Sequence, residues 1–153
     1  MPLANVLENR IQYRIKKSKD FVFMLPDFLD LSDRDQIMRA LRKLIDKKLI
    51  IKVGQGIYVK AKKSAISGNI IPQIDLIEIG KSVAKKLNVK VLPSKYEIWY
   101  NEGKTTQVPT GNVIAIKGTI LRKIGFNGIY IKYETVRNER KYYKYNFWLF
   151  SRI

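Results

Sequence analysis

Neither cysteine nor histidine occurs anywhere in this chain of 153 residues. Without cysteine there is no disulfide and no thiol nucleophile, and without histidine there is no imidazole base. Together the two absences remove the usual zinc ligands. Catalysis would have to run on carboxylates, Lys, Ser or Tyr, so no enzyme is expected, and no catalytic residue, cofactor or metal site is assigned. No apolar run approaches the roughly 18–20 residues that span a bilayer. The opening stretch, MPLANVLENRIQYRIKK, carries an acid and lacks the apolar centre of a secretory signal. A reducing cytoplasm is therefore the expected location, with no membrane partner.

Acidic side chains are scarce too. Thirteen Asp and Glu face 30 Lys and Arg, a net charge of +17 and a pI near 10.1. A chain this basic is built to meet phosphate or an acidic surface. Residues 1–63 hold 15 basic and 7 acidic side chains, and residues 64–153 hold 15 and 6. The charge is spread over both halves rather than carried by a tail.

What the chain does have is a folding composition, 46% apolar and 11% aromatic. Val6, Leu7, Ile11 and Ile15 recur at helical spacing and predict a first amphipathic helix over Asn5 to Lys17. Phe21-Val22-Phe23 reads as a short strand, and Pro26 opens a turn or two of helix. Ser32 is the expected N-cap of the clearest helix, with Asp33 and Asp35 in its first turn. Ile37, Ala40, Leu41, Leu44 and Ile45 make its apolar stripe, and Asp35, Gln36, Arg39, Arg42 and Lys43 its opposite face. LIIKVGQGIYVK, Leu49 to Lys60, then reads as a hairpin around Gly54-Gln55-Gly56.

Helix, strand, helix, helix and hairpin within about 60 residues is the order of a winged helix-turn-helix. Lys60 to Asn69, KAKKSAISGN, reads as a linker. Beyond it, helices are expected over Ile74–Leu87 and from Pro93-Ser94 to about Tyr100. Strands are expected at Val89–Leu92, Asn112–Ile116, Thr119–Ile124 and Gly128–Glu134. The aromatic tail from Tyr142 to Phe150 reads as a final strand closing a core, with base stacking as the alternative. The fold class is α+β: a winged helix-turn-helix over residues 1–63, then a small α/β module with a mostly antiparallel sheet over 64–153.

The run DFVFMLPDFLDLSDRDQIMRALRKLIDKKLIIKVGQGIYVK resembles the winged-helix domain of AbiEi-like proteins. The resembling residues are Phe23, Asp27-Phe28, Ala40-Leu41 with Leu44, and Gly56-Ile57-Tyr58. Val91-Leu92-Pro93-Ser94 and Thr106-Gln107-Val108-Pro109 continue it, so that it covers most of residues 1 to about 134. The chain departs from that pattern at Val59-Lys60, where a proline is common, and in having Gly54 and Gln55 at the hairpin tip. AbiEi-like proteins are the antitoxin and transcriptional regulator of type IV toxin–antitoxin (abortive infection) systems. The resemblance implies a repressor that binds its own promoter and counters a nucleotidyltransferase-type toxin encoded nearby.

For duplex DNA the candidate contacts are Gln36, Arg39, Arg42 and Lys43 on the helix and Lys52, Gln55 and Lys60 on the hairpin. Arg14 and Lys17 are candidate phosphate contacts from the first helix. Arg suits guanine, Gln suits adenine and Lys suits phosphate. A homodimer would place two half-sites one helical turn apart. Lys85, Lys86, Lys95, Arg122, Lys123, Arg140, Lys141 and Lys144 extend the DNA footprint or receive an acidic partner. Two other classes stand beside this reading. One is a basic protein-interaction module without sequence-specific DNA binding. The other is a metal-dependent nuclease on Asp75 and Glu102-Gly103-Lys104, whose Glu-x-Lys triplet falls in an expected turn rather than on a strand.

Overall fold

The structure, a computed structural model, describes residues 3–103 and 111–144. It divides into two compact units, Met1–Asp75 and Leu76–Ile153. Both mix helix and strand, so the α+β class holds. The boundary falls at Asp75 rather than at residue 63.

Unit 1 opens with α1 (Leu3–Lys17), β1 (Val22–Met24) and a 3-10 turn (Leu25–Phe28). Then come α2 (Arg34–Asp46), β2 (Ile50–Gly54), β3 (Ile57–Lys63) and β4 (Ile70–Pro72). This helix-first order is compatible with a winged helix. Along α1, Leu7, Ile11 and Ile15 turn inward at successive turns, whereas Val6 lies on the outer side. Glu8, only 4% exposed, is an acid inside this core face. Its Oε1 pairs with Lys47 Nζ just beyond α2, an ion pair that ties the two helices together.

The N-cap of α2 is Asp33, not Ser32: its carboxylate accepts a hydrogen bond of 2.9 Å from the Gln36 amide. Because the first helical residue is Arg34, Ser32 stands one position too far out to reach a first-turn amide. Ile37, Ala40, Leu41 and Leu44 are buried as the stripe requires. They meet Ile11 and Ile15 of α1 together with Phe23, Phe28, Ile50 and Tyr58 in one core. The Phe23 and Phe28 rings stack at 5.9 Å. Past α2, Lys48 adopts φ +63°, and the Leu49 amide reverses the chain onto the Leu44 carbonyl at 3.1 Å.

The reversed chain enters an antiparallel sheet ordered β1-β3-β2. Phe23 sits opposite Tyr58, and Ile51 opposite Val59. The register slips between Lys52 and Gly54, and the hairpin closes through Gln55 and Gly56, where φ is +70°. The expected linker is instead a second hairpin. β3 runs on to Lys63, residues 64–69 form a tight turn, and β4 returns with Ile71 opposite Lys62. Gln73 continues the pairing through its amide to the Lys60 carbonyl, 2.8 Å.

Unit 2 contains α3 (Leu76–Lys86), β5 (Lys90–Leu92), α4 (Lys95–Asn101) and β6 (Val113–Lys117). β7 (Gly125–Phe126), β8 (Ile129–Tyr130) and β9 (Lys132–Thr135) follow. The sheet is ordered β5-β6-β9, antiparallel at the first pairing and parallel at the second. β7 and β8 form a separate hairpin turned by Asn127 and Gly128, both with positive φ. α3 lays Ile79, Gly80, Val83 and Ala84 inward. At Gly80 a methyl group would collide with Ile114 and come within 2.6 Å of Ile131, so glycine sets the helix-to-sheet spacing. The Tyr133 hydroxyl donates to the Gly80 carbonyl at 2.7 Å. Ser94 and Glu97 cap α4 reciprocally.

Three expectations for unit 2 change. Thr119–Ile124 is irregular rather than a strand, and Gly128–Glu134 breaks into β8 and β9 at Ile131. The tail starts as helix over residues 139–144, capped by the Asn138 side chain, which accepts from the Lys141 amide at 3.0 Å. Tyr142 packs on Leu92, Ala115 and Val136, and its hydroxyl reaches the Pro93 carbonyl at 2.9 Å. Tyr145–Phe150 and Thr106–Pro109 lie outside the described residues.

Two measurements check this architecture. Asp33→Ala should lower unfolding stability by about 1 kcal/mol in urea melts, while Ser32→Ala changes it by under about 0.5 kcal/mol. The reverse ranking would return the cap to Ser32. Burial pushes the Tyr133 and Tyr142 hydroxyls up to about 12. Their folded values lie above the unfolded one, so their contribution is complete below pH 10 and is lost as pH climbs toward 12. Alkaline titration should therefore show late tyrosinate absorbance that appears together with unfolding of unit 2.

Candidate nucleic-acid interface

Burying one stripe of α2 leaves the opposite face outside. Gln36, Arg39, Arg42 and Lys43 are all exposed. With Ala40 and with Leu7 of α1 they line a shallow groove of about 320 Å³. These are the donor types that read base edges and grip phosphate, set on successive turns. Burial raises the pKa of the Tyr58 hydroxyl on β3, and the positive charge of Arg42 works against that rise.

The β2–β3 hairpin presents Lys52 and Gln55, both exposed. Its tip is held back: the Leu25 amide donates to the Gly56 carbonyl at 3.3 Å, fastening the turn to the start of the 3-10 helix. Glycine at position 56 supplies the positive φ that this closure needs. The hairpin is accordingly a short, fixed ridge beside α2.

Two expected contacts are committed elsewhere. Lys60 is half-buried and donates from Nζ to the Ser18 carbonyl at 2.7 Å, with Nζ 5.2 Å from the centre of the Phe21 ring. Arg14 grips Asp30 with both terminal nitrogens, at 2.6 and 2.9 Å, and also reaches the Asp27 carbonyl at 2.8 Å. That guanidinium holds the Asp30 carboxyl below the usual carboxylate range, chiefly through the hydrogen bond. Both side chains fasten the end of α1, Lys60 to the Ser18–Phe21 connection and Arg14 to the 3-10 turn. Lys17 stays on the α1 surface with its Nζ 5.7 Å from the Tyr13 ring centre.

Lys62 and Lys63, exposed on the far part of β3, belong to the same basic sheet, although their sequence reads as a linker. The signal that would have found them is the stretch from Lys47 to Ile74, which holds six lysines and no carboxylate. For the nuclease pattern, Asp75 is the last residue of unit 1, Glu102 is the C-cap of α4, and Lys104 lies outside the described residues. Among the described residues no group of three or more Asp or Glu could hold a metal ion. No helix among them is long and apolar enough to cross a membrane.

A family model described as a family of unknown function, DUF6088, matches residues 10–141. The chain belongs to the DUF6088 family. The match begins inside α1 and ends within the helical start of the tail, so it covers most of both units of the DUF6088 chain. No curated protein and no solved structure matches the chain. The DUF6088 description names no activity, and nothing in these comparisons links the chain to AbiEi-like proteins.

The two hairpin lysines of this DUF6088 chain should separate by stability. Lys60→Met removes the Ser18 anchor and should cost about 1 kcal/mol of unfolding stability. Lys52→Met should stay within about 0.5 kcal/mol of the parent. Equal, negligible effects in urea melts would show that Lys60 is not an anchor.

Proposed function

We propose that this protein is a cytoplasmic DNA-binding transcriptional regulator whose unit 1 works as a winged helix-turn-helix. The observation that carries the reading is the exposed face of α2, Gln36, Arg39, Arg42 and Lys43, beside a glycine-closed hairpin in a chain of net charge +17. α2 enters the major groove, where Arg39 and Gln36 read bases and Lys43 meets phosphate. Lys52 and Gln55 follow the adjoining backbone, and Gly56 lets the main chain come close. The resemblance to AbiEi-like proteins supports an operon-repressing antitoxin that counters a nucleotidyltransferase-type toxin, with unit 2 carrying that second role. Lys–phosphate and Arg–phosphate contacts supply most of the affinity, which falls steeply with salt.

Gel shifts over a salt series, with the protein's own promoter and a scrambled duplex, test this. Arg39→Ala should lose about 1–3 kcal/mol on the promoter and narrow the gap between the two duplexes. Lys43→Gln should weaken both alike and reduce the salt slope by about one, whereas Arg14→Gln leaves the slope unchanged. Equal binding of the parent to both duplexes at every salt concentration would instead describe a basic module without sequence preference. The antitoxin role is removed if the gene beside it encodes no nucleotidyltransferase.

A further inference from the structure

The β3–β4 hairpin is a built projection. The Ser64 amide donates to the Asn69 carbonyl at 2.8 Å and the Gly68 amide to the Ser64 carbonyl at 2.9 Å. Ser64 Oγ accepts from the amides of Ile66 and Ser67, each at 3.3 Å. Gly68 takes the positive φ of +74° that lets the turn close. At its apex Ile66 is 100% exposed. A lone exposed aliphatic side chain is ordinary on a surface. This one sits at the tip of an ordered turn, next to the exposed Lys62 and Lys63, in a stretch with no carboxylate from Lys47 to Ile74.

Cations that flank a projecting aliphatic wedge are the equipment of proteins that open a minor groove. We propose that the β3–β4 hairpin is a second DNA contact, in which Lys62 and Lys63 hold phosphates and Ile66 enters the minor groove at a flexible base step. This rests on the DNA-binding reading of unit 1 and adds to it a site and a distortion of the duplex. The two hairpin tips lie at opposite ends of β3, whose seven residues span about 23 Å at about 3.3 Å each. That separation exceeds the roughly 17 Å half-turn between the centres of neighbouring grooves, so contacts made at the two tips fall in different grooves. A branched aliphatic side chain has no flat face on which single-stranded bases could stack. One such side chain is also a weak membrane anchor. Duplex DNA is the partner these features suit.

The test measures binding of the full chain to labelled promoter duplex from about 50 to 200 mM salt, with bending read by energy transfer between the duplex ends. The Lys62→Gln, Lys63→Gln double variant should lower the salt slope by nearly two and leave the promoter-to-scrambled ratio intact. Ile66→Ala and Ile66→Ser should weaken binding by roughly five- to twentyfold with the slope unchanged, and should reduce the bend. Ile66→Leu should restore both. If all these variants bind and bend like the parent while Arg39→Ala loses its promoter preference, the second contact is wrong and the α2 reading stands. A parent that binds no duplex overturns both. Ile66-dependent binding to vesicles of phosphatidylcholine and phosphatidylglycerol, with DNA binding unaffected, would assign the tip to a membrane and overturn the proposal.

Discussion

Burial of the α2 stripe is the constraint on which unit 1 depends. Ile37, Ala40, Leu41 and Leu44 have to leave water, and only one face of a helix can carry them inward. That single requirement fixes the rotation of α2 about its axis and so decides which side chains remain outside. Gln36, Arg39, Arg42 and Lys43 are not placed by contacts of their own. They are placed by what lies behind them. The Glu8–Lys47 pair adds a polar tie between α1 and the end of α2, and the Leu49 amide fixes where the chain must turn back.

Positive charge in this protein divides by task. Arg14 and Lys60 spend their charge on partners within the chain, one carboxylate and two carbonyls between them, and each spans a long sequence separation. They hold α1 against the 3-10 turn and the sheet. Lys52, Lys62 and Lys63 stand exposed on the strands. A high net charge therefore does not mean that every cation is available to a partner. Within unit 1, Asp30 and Glu8 each offset one cation, Arg14 and Lys47 respectively.

Much of unit 1 was legible because its signals are local. Helical spacing marked α2, and alternation around glycines marked the β2–β3 hairpin. The neighbouring choice between Ser32 and Asp33 was not decidable by type, since both cap well and only the first helical residue separates them. The Ser64–Asn69 turn was missed for a physical reason: polar, serine-rich sequence looks the same whether its hydrogen bonds go to water or to itself. Arg14 and Lys60 looked like the other cations, because their partners lie 16 and 42 residues away. In unit 2, alternation over Thr119–Ile124 promised a strand, yet a strand needs a neighbour to bond with, and β6 already has β5 and β9. Tyr142 announced burial correctly but not secondary structure, since an aromatic residue closes a core equally well from a helix.

β4 adds only three residues to the sheet, yet it bears on how the chain can be handled. It covers the backbone groups of the far half of β3, around Lys62 and Ile71. A fragment cut where the composition turns polar, at residue 63, would leave those groups unsatisfied along an open strand edge. Open edges recruit other chains through the same hydrogen bonds that β4 now accepts and donates. The short return strand thus acts as a guard against edge-to-edge assembly, and unit 1 keeps that guard only when it extends through Gln73.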